Sequence, residues 1–294
     1  MRVTEKRIFD GAAARAGRAR EEMTKAAEIA STGIRVSHPG DDPVAAGQIV
    51  AHRLSEQRQK AMVETTGRAS DELQSADNAL GEVGTLLTRA RELAMQMSNG
   101  TYSAQQRLAA KQEIDGLQKD AVAMLNVDVG GRYLFGGYED RTPPFDAAGN
   151  YLGDANVRQL QLSPGILQET SVRADVAMKG VGGGVDVFQT FSALSAALGA
   201  NDVAGVQAAL TGLDAGIQQV ASARTSAGAS MSVLDAAKNA AASLKVDETI
   251  AVAKLTEADA IESATKLALT QRALDAALTA SAKSFQLTLL DKLR

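Results

Sequence analysis

All five prolines of this chain sit at Pro39, Pro43, Pro143, Pro144 and Pro164. The long stretches without them have nothing to stop a helix by removing an N–H or clashing with the preceding turn. Apolar residues in those stretches recur at alternating spacings of four and three. One run is Phe9, Ala13, Ala16, Met23, Ala27 and Ala30, with Arg20 as a charged intruder. A second covers Met62, Thr66, Ala69, Leu73, Ala76, Leu80, Val83, Leu87, Ala90, Ala94 and Met97. At 1.5 Å rise its ~36 residues make a rod of ~54 Å. A third runs Val206, Leu210, Leu213, Ile217, Val220, Ala227, Met231, Leu234 and Ala241, interrupted by Arg224 and Lys238. Those two either fix the register of the seam or snorkel to water. The fourth is Leu267, Gln271, Leu274, Leu278, Ser281 and Phe285. Stripes with a period near 3.5 pack along their length. The expected fold is mainly α: long antiparallel helical rods, a coiled-coil-like bundle, with a small β-containing insertion in the middle of the chain.

Composition agrees. The 294 residues are 45% hydrophobic but 3% aromatic, with no Trp. An Ala-rich, aromatic-poor chain lacks the side chains that fit a pleated surface. Local signals place the helix ends. Gly33 suits a C-cap, Asp42-Pro43 an N-cap followed by an N1 proline, and Ser103 to Gln106 a capping box. That last helix carries Leu108, Ile114, Leu117, Ala121 and Met124 on one side and runs out near Asn126. Beyond Gly130 the period changes. Arg132 to Tyr138 is short, aromatic and bracketed by glycines, like a strand or tight hairpin. Asp146 to Tyr151 is a turn candidate, and Val157–Leu162 and Val172–Met178 alternate as strands do.

Chemistry has little to work with. The only histidines are His38 and His52, and there is no Cys, so no nucleophile, cofactor or metal constellation is expected. No phosphate-binding, hydrolase or zinc-protease string occurs. Gly180-Val181-Gly182-Gly183-Gly184 lacks a following Lys and reads as a flexible joint. Arg15, Arg18 and Arg20 are followed by Glu21, Glu22 and Glu28, a solvated face. Tyr133, Phe135 and Tyr138 suit a local core under a loop. Net charge is −4, which gives no footprint for nucleic acid. No apolar run approaches the ~20 residues of a membrane helix. The start of the chain lacks an apolar h-region, so no ordinary cleaved secretory signal is expected. An enzyme is not expected either.

Four blocks, in order, resemble a known family. Ile29 through Ala46 (IASTGIRVSHPGDDPVAA) resembles the ISSGKRINSPSDDPA signature of flagellins and flagellar hook-associated proteins. Its matching positions include Gly33, Arg35, Asp41, Asp42 and Pro43, while His38-Pro39-Gly40, and Ile34 and Val36 on either side of Arg35, depart from it. Ser98-Asn99-Gly100-Thr101, the block from Asn126 to Gly137, and the stretch from Ala273 to Leu293 also fit. The opening Met1-Arg2-Val3-Thr4, the short insertion and the close at Phe285–Asp291 look more like hook-associated members than flagellin proper, which opens on an Ile-Asn-Thr-Asn-type segment.

The resemblance implies an organisation and a task. Residues 1–43 and 259–294 would be the two halves of an inner polymerisation domain. Residues 44–130 and 186–258 would form a helical middle domain, and 131–185 the outward β-containing insertion. Assembly would use Phe9, Ala13, Ala16, Met23, Ala27, Ala30, Leu267, Leu274, Leu278, Phe285 and Leu289 of the terminal helices. The implied job is structural: an adapter ring between flagellar hook and filament on which flagellin assembles. Implied partners are copies of itself, a hook-side junction protein, flagellin, and an export chaperone and export apparatus, with no nucleic acid and no membrane. Export would run through the flagellar channel without a cleaved signal. Flagellin itself, the bulk filament subunit, and a cytoplasmic coiled-coil signalling or scaffold protein are the competing classes.

Overall fold

The computed structural model describes residues 2–290, with side chains over 10–283 and at Arg7. In chain order the described elements are α1 (Arg2–Thr32), α2 (Pro43–Met97), α3 (Ala104–Leu125), β1 (Asp128–Val129), β2 (Arg132–Tyr133), β3 (Gln159–Ser163), β4 (Ile166–Glu169), α4 (Ala174–Lys179), α5 (Val187–Gly199), α6 (Val203–Thr256) and α7 (Ala260–Leu290). The fold is mainly α with two small antiparallel strand pairs, β1–β2 and β3–β4. Two compact units divide the chain, Met1–Arg58 with Leu244–Arg294 and Gln59–Ser243.

The second unit holds the larger core. Of the α2 stripe, Thr66, Leu73, Ala76, Leu80, Val83, Leu87, Ala90, Ala94 and Met97 are all buried. In α6 every seventh residue from Val206 to Ala241 is buried: Val206, Leu213, Val220, Ala227, Leu234 and Ala241. The heptad rhythm thus marks the true seams, each Leu or Val giving about 1.5–3 kcal/mol of burial. Arg224 leaves the seam, its guanidinium reaching Asp77 of α2 at 2.8 Å.

Ser103 opens α3 with the reciprocal capping box: its hydroxyl accepts from Gln106 N–H, and Gln106 Oε1 accepts from Ser103 N–H at 2.8 Å. The buried stripe of α3 is Arg107, Ala110, Ile114, Ala121, Val122 and Leu125. Leu108 and Met124, expected on the inner side, are 50% and 40% exposed. The reason is α5, which packs against the Ile114 face and whose Ser195 hydroxyl donates to Asp115 of α3 at 2.5 Å.

The insertion is built from turns that lean on the helices. β1 and β2 are joined by Gly130 and Gly131, at φ 63° and 79°, the two left-handed residues of a type I′ hairpin. Pro164-Gly165 turns β3 into β4, with a register irregularity between Gln161 and Ser163. Leu160 and Leu162 lean on Leu73, Ala227 and Leu234. Leu134, Phe135 and Phe145 enter the main core, where Phe145 lies 5.4 Å from Phe188, ring to ring. Asn126 ties this loop to the end of α3, donating to Phe145 O at 2.8 Å and accepting from its N–H at 3.0 Å. Of the three aromatics expected in a local core, Phe135 is fully buried and Tyr133 half-buried, while Tyr138 is 63% exposed.

Two expectations fail here. Val172–Met178 is not a strand, because α4 occupies Ala174–Lys179. Its buried residues, Ala174, Asp175, Ala177 and Met178, follow a helical rather than alternating pattern, and Asp175 is held by Arg173. The Gly180–Gly184 segment is a packed turn rather than a loose joint. Gly180 caps α4 in the left-handed region, and Gln219 of α6 accepts from Val185 N–H and donates to Ala177 O and Val185 O. A Cβ at Gly180 or Gly184 would collide with its surroundings.

Candidate assembly surface

In the first unit the terminal helices α1 and α7 pack together. The face α1 turns inward is Ala12, Ala16, Ala19, Met23, Ala26 and Ala30, with Ala26 3% exposed. That of α7 is Ser263, Leu267, Thr270, Leu274, Ala277 and Ser281. Both faces keep the four-three rhythm but are rotated from the expected seams. Ala13 and Arg20 point to water in α1, as do Gln271 and Leu278 in α7. Burying the Arg20 guanidinium would cost far more than exchanging one Ala for another, so the seam that runs only through small residues and Met23 wins. Ala16, Met23, Ala30, Leu267 and Leu274 lie on the paired faces, and Ala27 is half-buried. Phe9, Phe285 and Leu289 lie outside the described side chains. Arg15 and Arg18 donate to Gly11 O and Ala14 O of their own helix and are exposed.

The signature loop is a stapled junction. Gly33 sits at φ 70° and donates to Ile29 O at 2.9 Å, closing α1. Gly33 O then accepts from Ala258 N–H at 2.8 Å, and Arg35 N–H donates to Thr256 O at 2.7 Å. The end of α1 is thereby bridged to the break between α6 and α7. Arg35 Nη2 donates to Leu255 O at 3.0 Å, a cation on the last turn of a helix, and Nη1 reaches Asp42 at 3.1 Å. Asp42 caps α2 by accepting from Ala45 N–H at 3.0 Å. That N–H, followed by the Arg35 contact, holds its carboxyl below the usual range. Asp41 does a different job. It takes Lys25 Nζ of α1 at 2.6 Å together with the N–H groups of Ser37 and His38. The Lys25 contact, then the His38 N–H, hold Asp41 well below the ordinary carboxylate range. Under the loop, Val36, Ala45 and Ile49 form a small core with Val252 and Leu255.

One pair here has no sequence signal. His52 Nδ1 of α2 lies 2.6 Å from Glu248 of α6, whose other oxygen accepts from Ser55 at 2.8 Å. These bonds, His52 first, hold the Glu248 carboxyl below its usual range. The partners are 196 residues apart, beyond any periodicity. Among the described residues, no group of three or more metal-ligating side chains comes together, and no helix is long and apolar enough to cross a membrane. What this unit does present is apolar surface left uncovered: Val44 is 73% exposed, Ile261 81%, Leu269 59% and Leu278 52%.

The family model for the bacterial flagellin N-terminal helical region matches residues 11–140, from α1 through the signature loop, α2, α3 and the first hairpin. Through that region, under half of its length, the chain is similar to the flagellin family. It is similar to Flagellar hook-associated protein 3 of Escherichia coli, 36% identical over 138 residues, covering 46% of this chain and 43% of that protein. The protein of the same name from Salmonella typhimurium is 30% identical over 157 residues, covering 52% of this chain and 49% of that one. The chain thus spans under half the length of these relatives. In fold it is similar to FlgL of Bacillus cereus, with a TM-score of 0.60 at 23% identity over 69% of this chain and 99% of that one.

Proposed function

We propose that this chain belongs to the flagellin family, that it is a structural subunit of the bacterial flagellum working at the junction of hook and filament, and that it is not an enzyme. The observation that carries the reading is the paired terminal helices and stapled loop, which leave Val44, Ile261, Leu269 and Leu278 uncovered. In this reading neighbouring subunits cover those exposed apolar residues. The relatives named as hook-associated proteins support placing those partners at the flagellar hook.

In this reading copies of the chain form a ring through residues 1–43 and 259–294, using Ala13 and Leu278 outward and the paired faces inward. The ring seats on a hook-side junction protein and templates flagellin. The chain reaches that place through the export apparatus, attended by a chaperone and without a cleaved signal.

Deleting the gene, imaging the cells by electron microscopy and assaying the medium for flagellin tests this. Bare hooks with flagellin lost to the medium are expected. Bare hooks with no free flagellin would instead assign the chain to the filament, and normal filaments would overturn both flagellar assignments.

A further inference from the structure

The loop between α2 and α3 carries the chain's single Asn-Gly pair, Asn99-Gly100, and both residues are exposed. A backbone nitrogen that follows Asn can attack the side-chain amide and close a five-membered succinimide. Glycine obstructs that attack least, having no Cβ beside its nitrogen. Here a Cβ at position 100 would meet nothing, and the Gly100 N–H has no hydrogen-bond partner among the described residues.

Two further contacts act on the reacting groups. Asn99 O accepts from Arg107 Nη2 at 2.9 Å, and Arg107 is only 3% exposed. That carbonyl and the Gly100 N–H belong to one peptide group, so a desolvated guanidinium on the oxygen eases loss of the nitrogen's proton. Asn99 Oδ1 in turn accepts from Thr101 N–H at 3.2 Å. This donor polarises the carbonyl under attack and is already placed to hold the oxyanion that forms. The ring closed by that hydrogen bond runs through Asn99 Cγ and Gly100 N, so nucleophile and electrophile are members of one tight turn.

We propose that Asn99 is a self-modification site, converted by its own folded loop into an acidic residue. Gly100 N gives its proton to water and bonds to Asn99 Cγ. The bond from Cγ to Nδ2 breaks, and Nδ2 takes up a proton and leaves as ammonia. Water then opens the succinimide, at Cγ to give aspartate or at the main-chain carbonyl to give isoaspartate. The net change is one ammonia lost, one water gained and one negative charge made, with no oxidation or reduction. The surroundings favour that charge. Arg107 is held by Met97 O at 3.0 Å, Asn99 O and Asn201 Oδ1 at 2.6 Å, and among the described residues no carboxylate pairs with it. An acid at position 99 adds a negative charge to the residue whose main-chain oxygen already holds this buried cation.

The test is to age the purified chain at neutral pH, folded and in urea, and follow position 99 by peptide mapping that separates aspartate from isoaspartate. Loss of Asn99 is expected ~10-fold faster in the folded chain, the worth of one charge-assisted hydrogen bond. Arg107→Lys, checked for helix content by circular dichroism, is expected to bring the folded rate back to that in urea. Thr101→Pro, which deletes the second donor, is expected to slow the folded chain likewise and keeps the test open if the Arg107 variant does not fold. Equal rates in the two states, or protection of Asn99 by folding, would overturn the proposal.

Discussion

Arg107 shows what a single residue can decide in this molecule. Its guanidinium is buried among neutral acceptors at the end of α2 and at Asn201, whose φ of 52° is the one positive value on a non-glycine among the described residues. Removing it strands those acceptors, so Arg107→Leu is expected to cost about 3 kcal/mol, read as a lower urea midpoint at unchanged slope. Ser103, one helical turn earlier, is readable from sequence because its partner Gln106 lies three residues on. Ser103→Ala is expected to cost about 1 kcal/mol in the same assay. Arg107 is not readable, since Asn201 lies 94 residues away. Asp41 sets a pH response. Its carboxyl is depressed in the folded state, first by Lys25, so its contribution is complete above about pH 4 and is lost as pH falls through the folded value. The protection of amides across residues 35–45 from exchange, relative to the unstructured rate at each pH, is expected to fall on that descent, and Asp41→Asn is expected to show the lower protection already at neutral pH.

At the scale of elements, the heptads located α2 and α6 correctly because their stripes mix Leu and Val with Ala. Only one rotation buries Leu80, Val83 and Leu87 together. The terminal helices differ. In α1 nearly every candidate is Ala, so several rotations bury similar area at ~25 cal/mol per Å², and the choice falls to whichever keeps Arg20 in water. The insertion depends on close approach instead. Gly149 has φ 84°, and a Cβ there would strike the Phe188 ring. Gly149→Ala combines backbone strain with overpacking and is expected to cost about 3 kcal/mol. A thermal melt followed at the aromatic near-ultraviolet signal checks it, since Phe145, Tyr151 and Phe188 pack there.

For the whole molecule, the contrast between the two units bears on the proposed task. The second has a continuous core that joins α2, α3, α5, α6 and the insertion. Among the described residues, the first has a cluster of three buried residues under the loop and a helix pair faced mostly with Ala, Ser and Thr beside Met23, Leu267 and Leu274. A unit closed so lightly, with Ile261 and Leu278 uncovered, suits a part completed by neighbours. The double variant Ile261→Glu, Leu278→Glu is expected to leave the monomer's unfolding midpoint within about 0.5 kcal/mol of the parent, as surface changes do. Its self-association, followed by sedimentation, is expected to be lost. Loss of folding together with association would count against these positions as contact residues.

By itself the sequence determined where the long helices run, where α1 stops and where α2 and α3 start. Period, Ser103-Gln106, Gly33, Asp42-Pro43 and Gly130-Gly131 each act within a few residues, and backbone hydrogen bonding of that range is written locally. Only the tertiary structure decided the rotation of α1 and α7, the helix at Ala174–Lys179, the pinned turn at Gly180–Gly184, the burial of Arg107 and the His52–Glu248 pair. Each of these depends on which distant surface covers a group once it leaves water. Where the competing faces are equally small and apolar, local pattern holds too little free energy to choose between them.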